Sequence, residues 1–349
     1  MLDLSDATIN KIIVHKIGNP SRDEQLECSK TAFPLNDMGL EKVLSRYFLA
    51  PFHKKVPGFY NFRHDTDLDL NEMYHYAGKM FTPGENFEIQ SVNIAKHLFD
   101  KSHHPKVKSG ELYIVLINNC MVEDELTDAL GIFKSENKDT FLKVYAGGSD
   151  CNIEYQDGIN INKLDKGCLI FNTEKSEGYK MVIVDKTNAE ESQFWKDQFL
   201  KVAPRDDDFY QTKTAMNLCK TFCNTVLTED NDVSRNKQLE VKDKVVQYFS
   251  ENTEYVAETF EQEVLEQPEV IDAYREYRQT FAEQNNMLTK DTFDIAEPAV
   301  KKEKKNFKSV IKLDKNFHVY VHGNPNMLEK GFDDTRGKFF YKLYFDEEE

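Results

Sequence analysis

The spacing of apolar residues predicts an N-terminal domain that combines helices with an antiparallel sheet. Apolar and polar residues alternate from Ile9 to Ile17, as in a strand, and Gly18-Asn19-Pro20 follows as a turn. Steps of three and four residues predict helices over 39–52, 70–80 and 87–99. Short runs at spacings of roughly 8 to 14 residues predict strands joined by hairpins. These runs cover 110–117, 129–135, 140–145, 152–160, 166–172 and 181–184.

The middle of the chain is predicted to be helical, and its last part returns to strands. Helical spacing recurs over 214–227, 239–249, 256–265 and 270–281, with Ser234 as a candidate N-cap. Period-2 runs after Pro298 predict a small antiparallel sheet, and an acidic tail closes the chain. The sequence therefore predicts an α+β protein with a segregated N-terminal sheet and helices. Its predicted domains are 1–204 (α+β), 205–297 (helical) and 298–349 (basic β module with the acidic tail).

Length and composition narrow the class of protein. At 349 residues the chain exceeds the roughly 250 to 300 residues that one hydrophobic core organises. An aromatic content of 12% excludes wholesale disorder. The apolar runs fall far short of the roughly 20 residues of a membrane span. The acidic N-terminus, which no apolar stretch follows, does not resemble a signal peptide, so we expect a cytoplasmic protein without membrane partners.

The charge of the chain is divided unevenly. A formal net charge of -16 argues against nucleic acid, because the field of the whole molecule repels phosphates. Residues 299–345, however, hold eleven Lys and Arg against five acids, which leaves -22 on the rest. We therefore expect a basic module that contacts DNA phosphates. The predicted contact residues are Lys301, Lys302, Lys304, Lys305, Lys308, Lys312, Arg336, Lys338 and Lys342.

The same lysines also fit a purely structural role. An even spacing places Lys308 with Lys312, and Lys338 with Lys342, on one face of a strand each. Such a face with nearby aromatic rings could follow a phosphate backbone. Exposed lysines on an edge strand equally prevent aggregation. Composition alone leaves both interpretations open.

Several motifs are candidates for metal binding or catalysis. The acidic runs 123–125 and 206–208 could hold magnesium for phosphodiester hydrolysis, and 65–69 has the alternating carboxylates of a calcium loop. The calcium loop lacks its glycine and its closing glutamate, and solvated turns explain the two runs. His103-His104 lies in a predicted loop, and the six cysteines read as reduced thiols. We therefore predict no catalytic residue, no metal, no cofactor and no enzymatic activity.

Three regions together resemble a known family. They are the strand from Ile9 to Ile17, the helix, polar link and helix from Ala215 to Phe249, and the sheet from Phe307 to Phe345. Their order and the chain length resemble the bacterial nucleoid-associated proteins of about 37 kDa, the NdpA-like family. The resemblance implies a cytoplasmic protein of the nucleoid that binds DNA with little sequence preference. It also implies a homo-oligomer, such as a homodimer, and no cofactor.

An alternative follows from the acidic remainder of the chain. A charge of -22 outside the basic module would suit an adaptor that contacts DNA-processing proteins and mimics or repels nucleic acid. A metal-dependent nuclease that uses the acidic runs is a third possibility. The expected function is that of a non-enzymatic nucleoid protein that holds DNA through phosphates.

Overall fold

The computed structural model describes residues 2–53, 58–123, 125–147, 150–186, 194–228, 231, 233–285, 289–307, 310–314, 316–320, 327–345 and 347. The chain divides into two compact units, Met1–Arg205 and Asp206–Glu349. The fold is α+β, with an antiparallel sheet in the first unit, helices in the second and small antiparallel sheets towards the C-terminus. The division into three domains stays a prediction. The helices after Asp206 and the C-terminal strands belong to one unit.

An eight-stranded antiparallel sheet organises the first unit. Its strand order is β1-β4-β5-β8-β9-β3-β10, and β2 also pairs with β4. The strands are β1 (Leu2–Asp3), β2 (Thr8–Ile17), β3 (Tyr60–Phe62), β4 (Gly110–Val122), β5 (Glu125–Ser135), β8 (Lys166–Phe171), β9 (Lys180–Asp185) and β10 (Val202–Pro204). The remaining strands of this unit, β6 (Asp139–Gly147) and β7 (Asp150–Gly158), form a separate two-stranded sheet. The sequence assigned them to the main sheet, and that expectation was wrong.

Both faces of the main sheet are buried, because its central strands are apolar at nearly every position. One face packs against α2 (Glu72–Met80), α3 (Phe87–Lys101) and a π-helical turn, Phe194–Leu200. The other face packs against α1 (Met38–His53), where Phe48 stacks on Phe133 with ring centroids 4.4 Å apart. Burying both faces of β4, β5, β8 and β9 supplies the main hydrophobic stabilisation of this unit.

Helices form the second unit around their own core. They are α4 (Asp208–Thr225), α5 (Arg235–Glu251), α6 (Ala257–Phe260), α7 (Pro268–Asn285) and α8 (Glu297–Glu303). Asp207 caps α4 by accepting the Tyr210 N–H, and Ser234 caps α5 as predicted. The short pair β11 (Glu254–Val256) and β12 (Thr292–Asp294) was not predicted; Tyr255 and Phe293 on it stack at 4.7 Å.

Two separate hairpins replace the single C-terminal sheet that the sequence predicted. β13 (Val310–Leu313) pairs with β14 (Phe317–Tyr320), and β15 (Leu328–Asp333) pairs with β16 (Lys338–Leu343). The turn of the second hairpin needs a left-handed residue, which Gly337 supplies with φ of 61°. The Asp333 carboxylate accepts the N–H groups of Thr335 and Arg336 and fixes this turn.

A buried charge cluster lies at one end of the main sheet. The Glu136 carboxylate lies 2.7 Å from Lys134 Nζ and 2.6 Å from Lys166 Nζ, and all three side chains are at most 2% exposed. The Asp165 carboxylate accepts the backbone N–H groups of Glu136 and Asn137 and holds the segment in place. Glu136 therefore bridges two ammonium groups that water does not reach.

Replacing Glu136 should destabilise the first unit strongly. Glu136→Gln removes the charge that two buried ammonium groups share, and we expect a loss of about 3 to 5 kcal/mol in the free energy of unfolding. Urea unfolding monitored by Trp195, the single tryptophan and a buried one, measures it. The control is Glu111→Gln, whose partner Lys138 is half exposed, and it should cost less than about 1 kcal/mol. Equal losses in the two variants would contradict the prediction.

Another buried polar group, His15, should make the first unit sensitive to acid. The Ser29 N–H donates to Nδ1 at 3.2 Å, which assigns the ring proton to Nε2, 3.0 Å from Ser91 Oγ. Burial lowers the pKa of His15 to about 4. The unfolded chain therefore takes up a proton below pH 6.5 that the folded chain refuses. The contribution of His15 to stability should fall by up to about 3 kcal/mol between pH 6.5 and pH 4, and level off below pH 4.

The His15→Gln variant tests this assignment. Its unfolding free energy should depend less on pH between 6.5 and 4 than that of the unmodified protein, whatever its absolute stability. Burial also lowers the pKa of His97, so part of the dependence should persist. The exposed His103 provides the control, and His103→Gln should leave the slope unchanged. An unchanged slope in His15→Gln would refute the assignment.

Candidate nucleic-acid interface

Four of the predicted lysines form one exposed group, which we call the helix patch. Lys301 and Lys302 belong to the last turn of α8, and Lys304 and Lys305 to the 3-10 turn that follows it. Pro298 lies in the first turn of this helix, at a position where its missing N–H costs nothing. Cations are favoured in the last turn, where the helix dipole is negative. The sequence thus places four ammonium groups within five consecutive residues.

The contacts of the helix patch include an exposed ion pair. Lys301 Nζ pairs with Glu297 at 2.5 Å, one helical turn earlier, and the two side chains are 74% and 76% exposed. Lys302 Nζ lies 5.7 Å from the ring centroid of Phe209. Glu303, the acid within the run, is buried and accepts a hydrogen bond from Asn306. Because so exposed a pair contributes little, the lysines can exchange their partners for phosphates.

Three further cations of the predicted set lie on the β15–β16 hairpin, and we call them the hairpin patch. It consists of Arg336, Lys338 and Lys342. β16 presents Lys338 and Lys342 on one face, as predicted, but the facing residues of β15 are Asp333 and Glu329. Lys342 Nζ lies 3.6 Å from Glu329, and Arg336 Nε lies 3.8 Å from Asp333. This patch is therefore close to neutral.

The contacts of Glu329 with Tyr344 and Lys342 affect its pKa. The Tyr344 hydroxyl donates to its carboxylate at 2.6 Å, and this bond with nearby Lys342 lowers the pKa of Glu329. The carboxylate therefore stays ionised and opposes the approach of a phosphate. Two predicted residues remain. Lys308 lies outside the described residues, and Lys312 lies on β13 directly opposite His318 of β14.

A cleft of about 1250 Å³ lies in the second unit, between the helix ends and both hairpins. Its cations are Arg235, Lys330 and Lys338, and Asp314 is the acid among its lining residues. Aromatic rings complete the lining: Phe317, Phe339, Phe340 and Tyr341. The cleft exceeds the roughly 300 to 1,000 Å³ of a small-molecule pocket, and its shape and lining suit a segment of a polymer.

Few residues of this cleft could be predicted from the sequence. Lys338 is the member of the predicted set that lines it, and its lining residues span Asn224 to Tyr341. Phe339 is 72% exposed and Phe317 65%, which is unusual for phenylalanine. The available signal was the proximity of aromatic residues to lysines in the last strand. Arg235 could not be found in this way, because helix packing brings it to the cleft from about a hundred positions away.

The described residues of the two acidic runs have structural roles. Asp207 caps α4, and Asp206 pairs with Lys290 at 3.2 Å. Glu123 pairs with Lys180, while Asp124 is outside the described residues. Within the described part of the chain, no three His, Cys, Asp or Glu side chains converge as metal ligands. These runs thus have local partners that explain them.

The cysteines of the second unit are buried in α4. Cys219 and Cys223 lie one turn apart, and burial raises the pKa of both thiols, that of Cys223 to about 12. Such thiols stay protonated at neutral pH and are poor nucleophiles. The described cysteines are all free. Among the helices described, none is both long and apolar enough to cross a membrane.

Comparison with known proteins defines the class. Residues 13–339, which include most of the main sheet, the helices and the C-terminal strands as far as the start of β16, match the family model NA37, described as nucleoid-associated protein YejK. This match identifies a bacterial nucleoid-associated protein and confirms the resemblance noted in the sequence. The chain belongs to the NA37 family. No curated protein matches it. The family indicates a nucleoid-associated role.

Proposed function

We propose that this protein binds DNA through phosphate contacts with little sequence preference, and that its second unit carries this binding. The observation that supports the proposal best is the helix patch, four exposed lysines within residues 301–305. A phosphate backbone is the polyanion that a nucleoid-associated protein meets. Each phosphate that a lysine neutralises releases counterions, and this release favours binding at low salt.

The chemistry of the helix patch argues against sequence readout. Lysine is a flexible point charge, whereas base-specific contacts favour the planar fork of arginine or the amides of asparagine and glutamine. Phosphate contacts position a protein on DNA without reading its sequence. The acidic remainder of the chain, at -22, would keep its other surfaces away from DNA. We therefore expect binding in the nucleoid that varies little with base composition.

Replacing the four lysines of the helix patch by glutamine should weaken DNA binding and its salt dependence. If six phosphates are engaged, the affinity of the unmodified protein should fall by roughly a factor of 10³ between 50 and 200 mM salt. The variant should lose about one unit of the log–log salt slope for each lysine that contacts a phosphate. Fluorescence anisotropy with a labelled duplex measures both effects.

The control removes the same charge elsewhere. Replacing four exposed lysines of the first unit by glutamine should leave the salt slope unchanged; these are Lys30, Lys42, Lys96 and Lys106. Two duplexes of different base composition should bind with similar affinity. Absence of binding at 50 mM salt, or an equal loss of slope in both quadruple variants, would overturn the proposal.

The cleft adds a second element to this function, the capacity to bind unpaired bases. Its cations can follow a backbone, and its exposed rings can stack on bases whatever their sequence. Lys330 Nζ lies 5.6 Å from the ring centroid of Phe339, so charge and ring are offered together. Bases within a duplex are already stacked. We therefore assign the cleft to single-stranded DNA.

Removing Phe339 tests the assignment. Phe339→Ala should weaken single-strand binding by about 1 to 3 kcal/mol, the range for one stacked base, and leave duplex binding nearly unchanged. Phe345→Ala is the control, because Phe345 is 67% exposed but does not line the cleft. Anisotropy with an oligothymidine and with a duplex gives the comparison. Equal effects on the two DNA forms would contradict it.

Contacts with DNA-processing proteins are the rival that the acidic remainder suggests. A pull-down from lysate with and without nuclease treatment separates the two functions. Partners that disappear with the DNA support direct DNA binding. Partners that survive nuclease treatment in the helix-patch variant would favour the adaptor.

A further inference from the structure

One buried lysine differs from the others in its partner. Four lysines in the described part of the chain are at most 6% exposed: Lys134, Lys166, Lys180 and Lys242. The first three contact glutamate carboxylates. Lys242 donates to the amide oxygen of Asn224 at 2.6 Å, and among the described residues no carboxylate forms an ion pair with it. An ammonium group buried beside a neutral acceptor has a high desolvation cost, which an anionic ligand would offset.

The helix face that carries Lys242 borders the cleft of the second unit. Arg235, Gln238 and Lys242 follow each other at steps of three and four residues, so α5 presents them on one side. Arg235 and Gln238 line the cleft, and so does Asn224 near the C-terminal end of α4. The Lys242 ammonium group therefore lies one hydrogen bond away from a side chain of the cleft wall.

A buried glutamine holds this arrangement in place. Gln238 is 3% exposed; its amide N–H donates to the carbonyl oxygen of Cys223, and its amide oxygen accepts a hydrogen bond from Arg235. These bonds join the end of α4 to the first turn of α5. Burial lowers the pKa of Lys242, and the like charge of Arg235 acts in the same direction, against a smaller opposing effect of Asp243. Two cations are thus held near each other at the cleft wall.

We propose that this corner of the cleft, formed by Asn224, Arg235 and Lys242, holds a phosphate monoester, the terminal phosphate of a DNA strand or of a free nucleotide. A monoester carries nearly two negative charges at neutral pH and has three free oxygens, which suits two neighbouring cations. A phosphodiester within a strand carries one charge, and its two sugars hinder its approach to a buried ammonium group. The strand as the source of the phosphate rests on the proposed function.

The position of Asn224 suits the exchange of its amide for a phosphate. The residue is exposed, and α4 ends at the next residue, so its side chain can rotate without disturbing the helix. A phosphate oxygen can then replace the amide oxygen at Lys242, and the Asn224 NH₂ group can donate to the same phosphate. The exchange replaces a neutral acceptor by an anionic one and supplies the missing counter-charge.

Internally labelled oligothymidines with a phosphate at the 5′ end, at the 3′ end or at neither end test the strand as the source. In anisotropy titrations one of the terminal phosphates should tighten binding about ten-fold over hydroxyl ends. Lys242→Met should remove this preference and leave binding of the hydroxyl-ended strand nearly unchanged. The control is Lys244→Met, on the same helix, which removes a lysine paired with Glu240 and Glu266 and should keep the preference.

A second variant leaves the buried lysine in place. Asn224→Asp offers Lys242 a carboxylate of its own and should also remove the preference, because the added charge repels phosphate. Asn217→Asp adds the same charge two helical turns earlier on α4, away from the residues that line the cleft, and should keep it. Melting temperatures verify that all four variants are folded.

Thymidine 5′-monophosphate tests the free nucleotide as the source. It should raise the melting temperature of the unmodified protein and of Lys244→Met, but not that of Lys242→Met. This shift without any strand-end preference would identify a free nucleotide as the ligand, and it would persist even if the protein bound no DNA. The proposal is wrong if neither terminal phosphates nor the nucleotide have an effect, or if Lys242→Met and Lys244→Met respond alike.

Discussion

Burial of the central strands on both faces is the constraint on which the first unit depends. β4, β5, β8 and β9 are apolar along nearly their whole paired length, so helices must cover the sheet on both sides. Polar groups caught at the ends of these strands must then find partners. The Lys134–Glu136–Lys166 cluster and the hydrogen bonds of His15 meet that requirement. The same constraint disfavours, at the centre of the sheet, a strand that has a charged side.

A second constraint is electrostatic, and it acts on the C-terminal part of the chain. Counting charges identified residues 299–345 as basic, but the count treated all cations alike. Strand register places Asp333 and Glu329 opposite Lys338 and Lys342, whereas Lys304 and Lys305 lie in the 3-10 turn that follows α8. Local structure thus concentrates the basic character of the module in its helical part. The resulting DNA contact would be short and dependent on salt.

The limits of prediction follow from these two constraints. Periodicity identified most of the longer strands and helices because each such element carries its own pattern, and Ser234 was found because a cap is local. Pairing between elements is not local, so the three C-terminal runs were joined into one sheet where the structure has two hairpins. The cleft was missed for the same reason, since Arg235 and Phe339 reach it from distant elements. The helix α8 was missed because it is only seven residues long.

β6 and β7 were predicted in the main sheet, although their own sequence indicates that they lie outside it. A strand buried on two faces is apolar at consecutive positions, as in Leu169-Ile170-Phe171 of β8. β6 instead alternates Leu142-Lys143-Val144, so a charged residue lies on the side opposite the two apolar ones. A strand of this kind would bury Lys143 in the centre of the sheet, at a high desolvation cost. It is therefore excluded from the centre of the main sheet, and Leu142 and Val144 remain exposed on a separate hairpin.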